Sequence, residues 1–322
     1  MNQSMDEETV RAASRERSAI MPRVWLKLVY SLTLVALVFP LGVASMSGWV
    51  GLTLGTSLMG SFLLPLLAIV VWRIYMVWRH PTTLVRHRAG ALIGVLRAVA
   101  VVEMVVGCLA ALALLLQRPI IQALGGVRTD SGIEYYVLQL GAVMVGGLGL
   151  QGLVIYEWTR LIGMERFFRE EAPTEIPERE SPWAVGLTVL ALGALLALQA
   201  LLTTYLLGTS GLTPTAVAGF VVALPLTLTL VLRLVSLAGH RREVPQPVAG
   251  GLPGVVRKLA LVGLAVSLLT GIVVAGLAGL GGGLLASSGI SLMSFGVPLL
   301  AVLEAIRLLG YERHERHAVG GA

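Results

Sequence analysis

Cysteine, aspartate and histidine are almost missing from the apolar parts of this sequence. The single cysteine, Cys108, excludes an intrachain disulfide and any multi-thiolate metal site. The five histidines, His80, His87, His240, His314 and His317, all fall between or after the long apolar runs, which excludes paired haem ligation by histidine at membrane depth. Aspartate occurs only at Asp6 and Asp130, and Glu103, Glu157 and Glu304 are scattered along the chain, so no acidic metal cluster is expected. There is no Gly-rich phosphate loop, no zinc-type His/Glu spacing and no Ser/His/Asp set of credible topology. An enzyme is therefore not the expectation, and neither a cofactor nor a metal is expected. Charge is also scarce, at 13% of residues, where a soluble domain carries about 25%.

What the chain has instead is apolar length. Hydrophobic residues make up 56% of it. Eight mostly apolar runs lie at 24–45, 58–79, 91–116, 136–160, 183–207, 216–238, 258–280 and 291–309. Each is long enough to cross a hydrocarbon core of ~30 Å as a helix. A soluble helical bundle needs helices with polar faces, whereas these runs are apolar all round. If the first run enters from the cytoplasm, every Lys and Arg except Arg118 and Arg128 lies on or near the cytoplasmic side. Basic flanks resist translocation, so both termini are expected in the cytoplasm and the chain in the plasma (cytoplasmic) membrane. The net charge of +6 is then mostly topology. Anionic headgroups at the cytoplasmic face are the expected partners, and nucleic acid is not. Trp25, Trp49, Trp72, Trp78, Trp158 and Trp183 lie near run ends, where interfacial aromatics belong.

The expected organisation is a charged N-terminal arm (1–23), a first transmembrane half (24–160), a charged cytoplasmic linker (161–182), a second half (183–309) and a cytoplasmic tail (310–322). The first run reads as a signal anchor, because its apolar stretch is long and a polar arm precedes it. The linker contains Pro173, Pro177 and Pro182 among six Glu and three Arg.

The halves repeat. Gly94-Val-Leu-Arg97 opens the third run and Gly254-Val-Val-Arg257 the seventh, at an offset of 160. Pro65 and Arg73 match Pro225 and Arg233 at the same offset. Glu157-Trp-Thr-Arg160-Leu-Ile-Gly-Met-Glu165-Arg166 matches Glu304-Ala-Ile-Arg307-Leu-Leu-Gly-Tyr-Glu312-Arg313 at an offset of 147. Chance agreement among leucines and valines would not preserve the Glu, Arg and Gly positions together. The change of offset places an insertion in the outer connection 117–135. Four crossings per half give both halves the same orientation, as parallel repeats about an axis along the membrane normal. The fold expected is thus all-α, a polytopic membrane protein of eight transmembrane helices built as two parallel four-helix repeats.

Glu103 is the sharpest candidate. It lies ~12 residues into the third run, ~18 Å along a helix and so near the midplane. Its second-half counterpart is Gly263, which begins a ladder of small residues, Gly263, Ser267, Gly271, Ala275 and Gly279, that lets another helix come close. Glu103 is expected at a helix interface, as a structural acid or as a substrate, cation or proton site. Glu157 with Arg160, and Glu304 with Arg307, are three apart and share a helix face. With Arg73 and Arg233 they are candidates for an inner-leaflet gate or a headgroup site, or else for arginines that snorkel to phosphates. Pro40, Pro65, Pro225 and Pro298 fall within apolar runs and predict kinks; the glycines of the fourth run, Gly152 among them, predict close packing.

Two functions fit these features. One is a transporter or permease-like protein for a small apolar or lipid-like substrate, using Glu103 at the interface of the halves. The other is a non-catalytic subunit or scaffold of a larger membrane complex, docking partners at 161–182 and 117–135. The sequence contains nothing that names the substrate, the direction of transport or the partner.

Overall fold

The structure is a computed structural model that describes residues 90–123, 148–171, 181–210, 214–239, 251–278 and 296–320, together with positions 65, 68, 69, 71, 72 and 75. The described part is all-helical. Its six long helices are α1 (Ala91–Ala123), α2 (Leu150–Glu171), α3 (Pro182–Ser210), α4 (Pro214–Gly239), α5 (Gly251–Ala278) and α6 (Val297–Gly320). The separate positions between 65 and 75 are helical as well.

Local chemistry sets several of the helix starts. At α3, Ser181 is the N-cap: its Oγ accepts from the Ala184 amide at 3.3 Å and its carbonyl accepts from Ala184 and Val185. Pro182 follows at the first helical position, where a missing N–H costs nothing. Gly251 opens α5 with φ of 65°, a left-handed conformation that favours glycine, and Pro253 sits in the first turn. Pro225 lies inside α4. Around it, Gln199 of α3 donates to the Ala223 carbonyl at 2.8 Å, and the Thr229 hydroxyl donates to the Pro225 carbonyl at 2.8 Å. Pro298 stands instead in the first turn of α6, and Pro65 is a buried helical position. Pro40 lies outside the described residues.

The least apolar helices are the most buried. In α2 every residue from Gly152 to Glu165 is buried except the half-buried Arg160, and in α6 every residue from Gly296 to Glu312 is buried. These two helices pack on each other at the centre. α1 covers α2 and α5 covers α6, while α4 also packs on α2 and α3 packs on α4. Ile69 belongs to the same core as Leu96, Met104, Trp158, Leu192, Leu230 and Leu264.

The outer helices show the opposite pattern. The windows Ala91–Leu109, Pro182–Ala200 and Gly251–Val273 have mean hydropathies of 2.2, 1.9 and 1.8, long and apolar enough to cross a membrane, yet only 33%, 39% and 28% of them is buried within the protein. On α5 the exposed side chains include Leu252, Val255, Leu259, Val262, Val266 and Leu269, a stripe at helical spacing; Val256, Ala260 and Leu264 face inward. In water, helices of this composition would turn those stripes into a core. Apolar surface outside and charge inside is the arrangement that a lipid solvent permits, and it marks the protein as membrane-embedded.

Two expectations change. Trp158 is fully buried in the central core and belongs to no interfacial belt, because α2 is enclosed on all sides at that depth. Trp183, at the exposed start of α3, keeps the expected placement at a helix end. In addition, α2 continues past residue 160 to Glu171 and α6 past residue 309 to Gly320. The charged sequence after each run ends the apolar stretch, but not the helix. Leu161, Met164 and Phe168 of α2 meet Leu308 and Tyr311 of α6 in a second small core, where the Phe168 and Tyr311 rings stack at 5.4 Å.

Candidate functional site

Two polar features sit against the central helices. The first is Glu103 on α1, 8% exposed and placed where α1 crosses α2. The crossing is close because α2 presents Gly152 there. A Cβ on Gly152 would lie 2.7 Å from the Ala100 carbonyl oxygen and 3.0 Å from both the Met104 nitrogen and the Glu103 Cβ. No side chain fits between those backbones. Next to the glycine, Gln151 Nε2 donates to Glu103 Oε1 at 3.4 Å, a long bond. Glu103 Oε2 is buried and receives no hydrogen bond among the described residues.

The crossing of α5 and α6 uses different residues. There the glycine is on the outer helix: a Cβ on Gly263 would meet Leu299 Cδ1 at 3.0 Å and Cδ2 at 3.2 Å. Leu299 and its neighbours are apolar and fully packed.

The second feature is a buried ion-pair network at the charged end of α2, α4 and α6. Arg233 of α4 is its centre, with no exposed surface. One side of its guanidinium bonds Glu165 of α2, Nη1 to Oε2 at 2.7 Å and to Oε1 at 2.8 Å. The other side bonds Glu304 Oε2 of α6, from Nη2 at 2.6 Å and from Nε at 3.0 Å. Its fork thus holds two carboxylates on two helices, geometry that a lysine cannot reproduce. Ser236 Oγ donates to Glu165 Oε2 at 2.6 Å, and Arg307 Nη1 to Glu304 Oε1 at 2.7 Å. On the adjoining face, Arg160 of α2 bonds Glu312 of α6 at 3.1 Å and lies 4.0 Å from Glu157 on its own helix. Glu165 lies beyond the apolar run 136–160. Burial alone would raise its pKa, but Arg233 outweighs that, aided by Ser236 and the Arg307 charge, and holds the carboxyl below the ordinary carboxylate range.

Of the residues singled out from sequence, Glu157, Arg160, Arg233, Glu304 and Arg307 come together in or beside this network, and Glu103 stands apart at the α1–α2 crossing. Arg73 lies outside the described residues. Arg233 and Arg307 face the protein interior, not a surface from which they would snorkel to phosphates. Sequence reasoning missed Glu165, Ser236 and Glu312 as network members. The signal that reaches them is the helical period of Leu161, Met164 and Phe168, which carries α2 past its apolar run and puts Glu165 one turn inside it. Among the described residues, no three His, Cys, Asp or Glu side chains are grouped so as to hold a metal ion.

Compared with protein-family models, with curated proteins and with solved structures, the chain matches none of them.

Proposed function

We propose that this chain is a multi-pass transporter or permease-like protein of the plasma membrane, with Glu103 as the residue that meets its substrate or a proton. The proposed architecture is eight transmembrane helices in two parallel four-helix repeats, with both termini cytoplasmic. The substrate class is small and apolar or lipid-like, since few polar side chains line the described helices. Anionic headgroups at the cytoplasmic face are the proposed lipid partners.

The observation that carries this reading is the Glu103 carboxyl, enclosed at the crossing of two helices with one oxygen that has no hydrogen-bond partner among the described residues. A charged group at the bilayer centre costs roughly 2.5–3.5 kcal/mol on insertion scales. Packing does not require it, because the matching crossing of α5 and α6 is made with Gly263 and Leu299. An acid kept where an apolar residue would do points to a task. The repeat reading draws support from the same place. Residues 103 and 263 are 160 apart, 152 and 299 are 147 apart, and these are the two offsets in the sequence.

The test is uptake and efflux in proteoliposomes across a panel of lipophilic compounds and fluorescent lipids. Glu103→Gln preserves shape and is expected to lower the transported rate at least about tenfold, the scale of a lost site interaction. Equal rates for the two proteins across the panel would overturn the proposal.

A second reading, a non-catalytic subunit or scaffold, is supported by the unbroken burial of α6 from Gly296 to Glu312, which reads as a filled bundle centre. In that case 161–182 and 117–135 are the docking segments. Native mass spectrometry from the source membrane separates the two readings: a stoichiometric hetero-complex supports the subunit, and a lone chain or homo-oligomer supports the permease.

A further inference from the structure

We propose that the Arg233 network is a latch that holds α2 to α4 and α6 at the charged end of the bundle and is built to open there. The proposal rests on the reading of the chain as two halves, with α2 closing the first and α4 and α6 in the second.

The bonds of the network fall into two sets. One set joins α2 to the other two helices: Glu165 to Arg233 at 2.7 Å, Ser236 to Glu165 at 2.6 Å and Arg160 to Glu312 at 3.1 Å. The other set stays on one side of that boundary. Arg233 holds Glu304 at 2.6 Å and Arg307 holds Glu304 at 2.7 Å, both between or within α4 and α6, while Arg160 is 4.0 Å from Glu157 within α2. When α2 moves away, the first set breaks and the second is kept. Arg233 keeps Glu304, which it shares with Arg307, and Arg160 keeps Glu157. Glu165 passes into water, which solvates a carboxylate well.

This division makes two states possible where an apolar filling would allow one. Stranding a buried charge is strongly unfavourable, and the pairs kept on each side on parting reduce that cost. Further along the same helices the α2–α6 boundary is different: Ile155, Trp158, Val302 and Leu299 belong there to one apolar core. Parting at that level exposes mainly apolar side chains. The boundary is therefore held by ion pairs and the small Leu161–Leu308–Tyr311 core at one end and by the larger apolar core along the rest, a layout that allows a bundle to open at one end while staying closed elsewhere.

The test reads opening directly and needs no substrate. The full chain carries Cys108→Ser and Leu161→Cys, in lipid nanodiscs; Leu161 is fully buried beside Leu308 and Tyr311 in the small core next to the latch. A water-soluble maleimide labels such a thiol only through an open form, so its rate scales with the open population. Glu165→Gln is expected to raise the rate about tenfold or more, the scale of losing a hydrogen bond to a charged group. Glu165→Asp should fall nearer the parent, and Glu170→Gln, an exposed carboxylate on the same helix, should match it. Ser236→Ala, a milder cut of the same set of bonds, should raise the rate severalfold and stands in if Glu165→Gln is not monodisperse. Unchanged labelling in whichever of Glu165→Gln and Ser236→Ala is folded overturns the latch. Because transport is not measured, failure of the permease reading at Glu103 leaves this result legible, and the reverse also holds.

Discussion

The helices α2 and α6 hold the same place in the bundle, each central and each covered by an outer helix, yet they meet their covers in opposite ways. At α2 the small residue belongs to the central helix, Gly152, and the large one to its cover, Glu103. At α6 the large residue is central, Leu299, and the small one, Gly263, is on the cover. The spacing of the helices depends on one small partner in each crossing and not on which helix supplies it. The polarity of the large partner is then free to differ, and only the first crossing uses that freedom to bury an acid.

What α2 and α6 share is Arg233, so its loss is the largest effect expected. Arg233→Gln leaves Glu165 and Glu304 buried with less compensation, and thermal unfolding in detergent should show a loss of about 3–5 kcal/mol. A shift no larger than that of an exposed arginine would mean that the two helices are held together by apolar contact alone. Gly152→Ala comes next. Its Cβ would meet backbone atoms at 2.7 and 3.0 Å, which cannot rotate aside, so α1 must move and stability should fall by about 1–3 kcal/mol. The smallest effect belongs to Gly263→Ala, where the Cβ meets the end of a leucine side chain. The gain in helix propensity of roughly 0.5–1 kcal/mol offsets the crowding, and the midpoint should hardly change. Equal losses at the two glycines would remove the contrast between the crossings.

Much of the architecture was legible from apolar length. The runs 91–116, 183–207, 216–238 and 258–280 correspond to α1, α3, α4 and α5, because a stretch of that composition has no other stable form in lipid. The ends were less legible. Charge after Arg160 and Leu309 reads as the end of an apolar run, but backbone hydrogen bonding continues wherever an apolar stripe persists, here through Phe168 and Tyr311. The placement of Glu103 at a helix interface followed from the small residues around it. The i, i+3 spacing of Glu304 and Arg307 was visible, and the pair does form. The capture of Glu165 and Glu304 by one guanidinium was not visible, since it depends on how three helices meet, and no spacing within one helix encodes that.

The two crossings also limit how this protein can be taken apart and recombined. Exchange α1 with α5, keeping α2 and α6 in place, and Glu103 would face Leu299 while Gly263 faced Gly152. One seam would hold two bulky side chains and the other a gap between two bare backbones. Each outer helix is thus keyed to its own central partner, like a lock cut for one blank, and a functional hybrid must carry helices over in matched pairs.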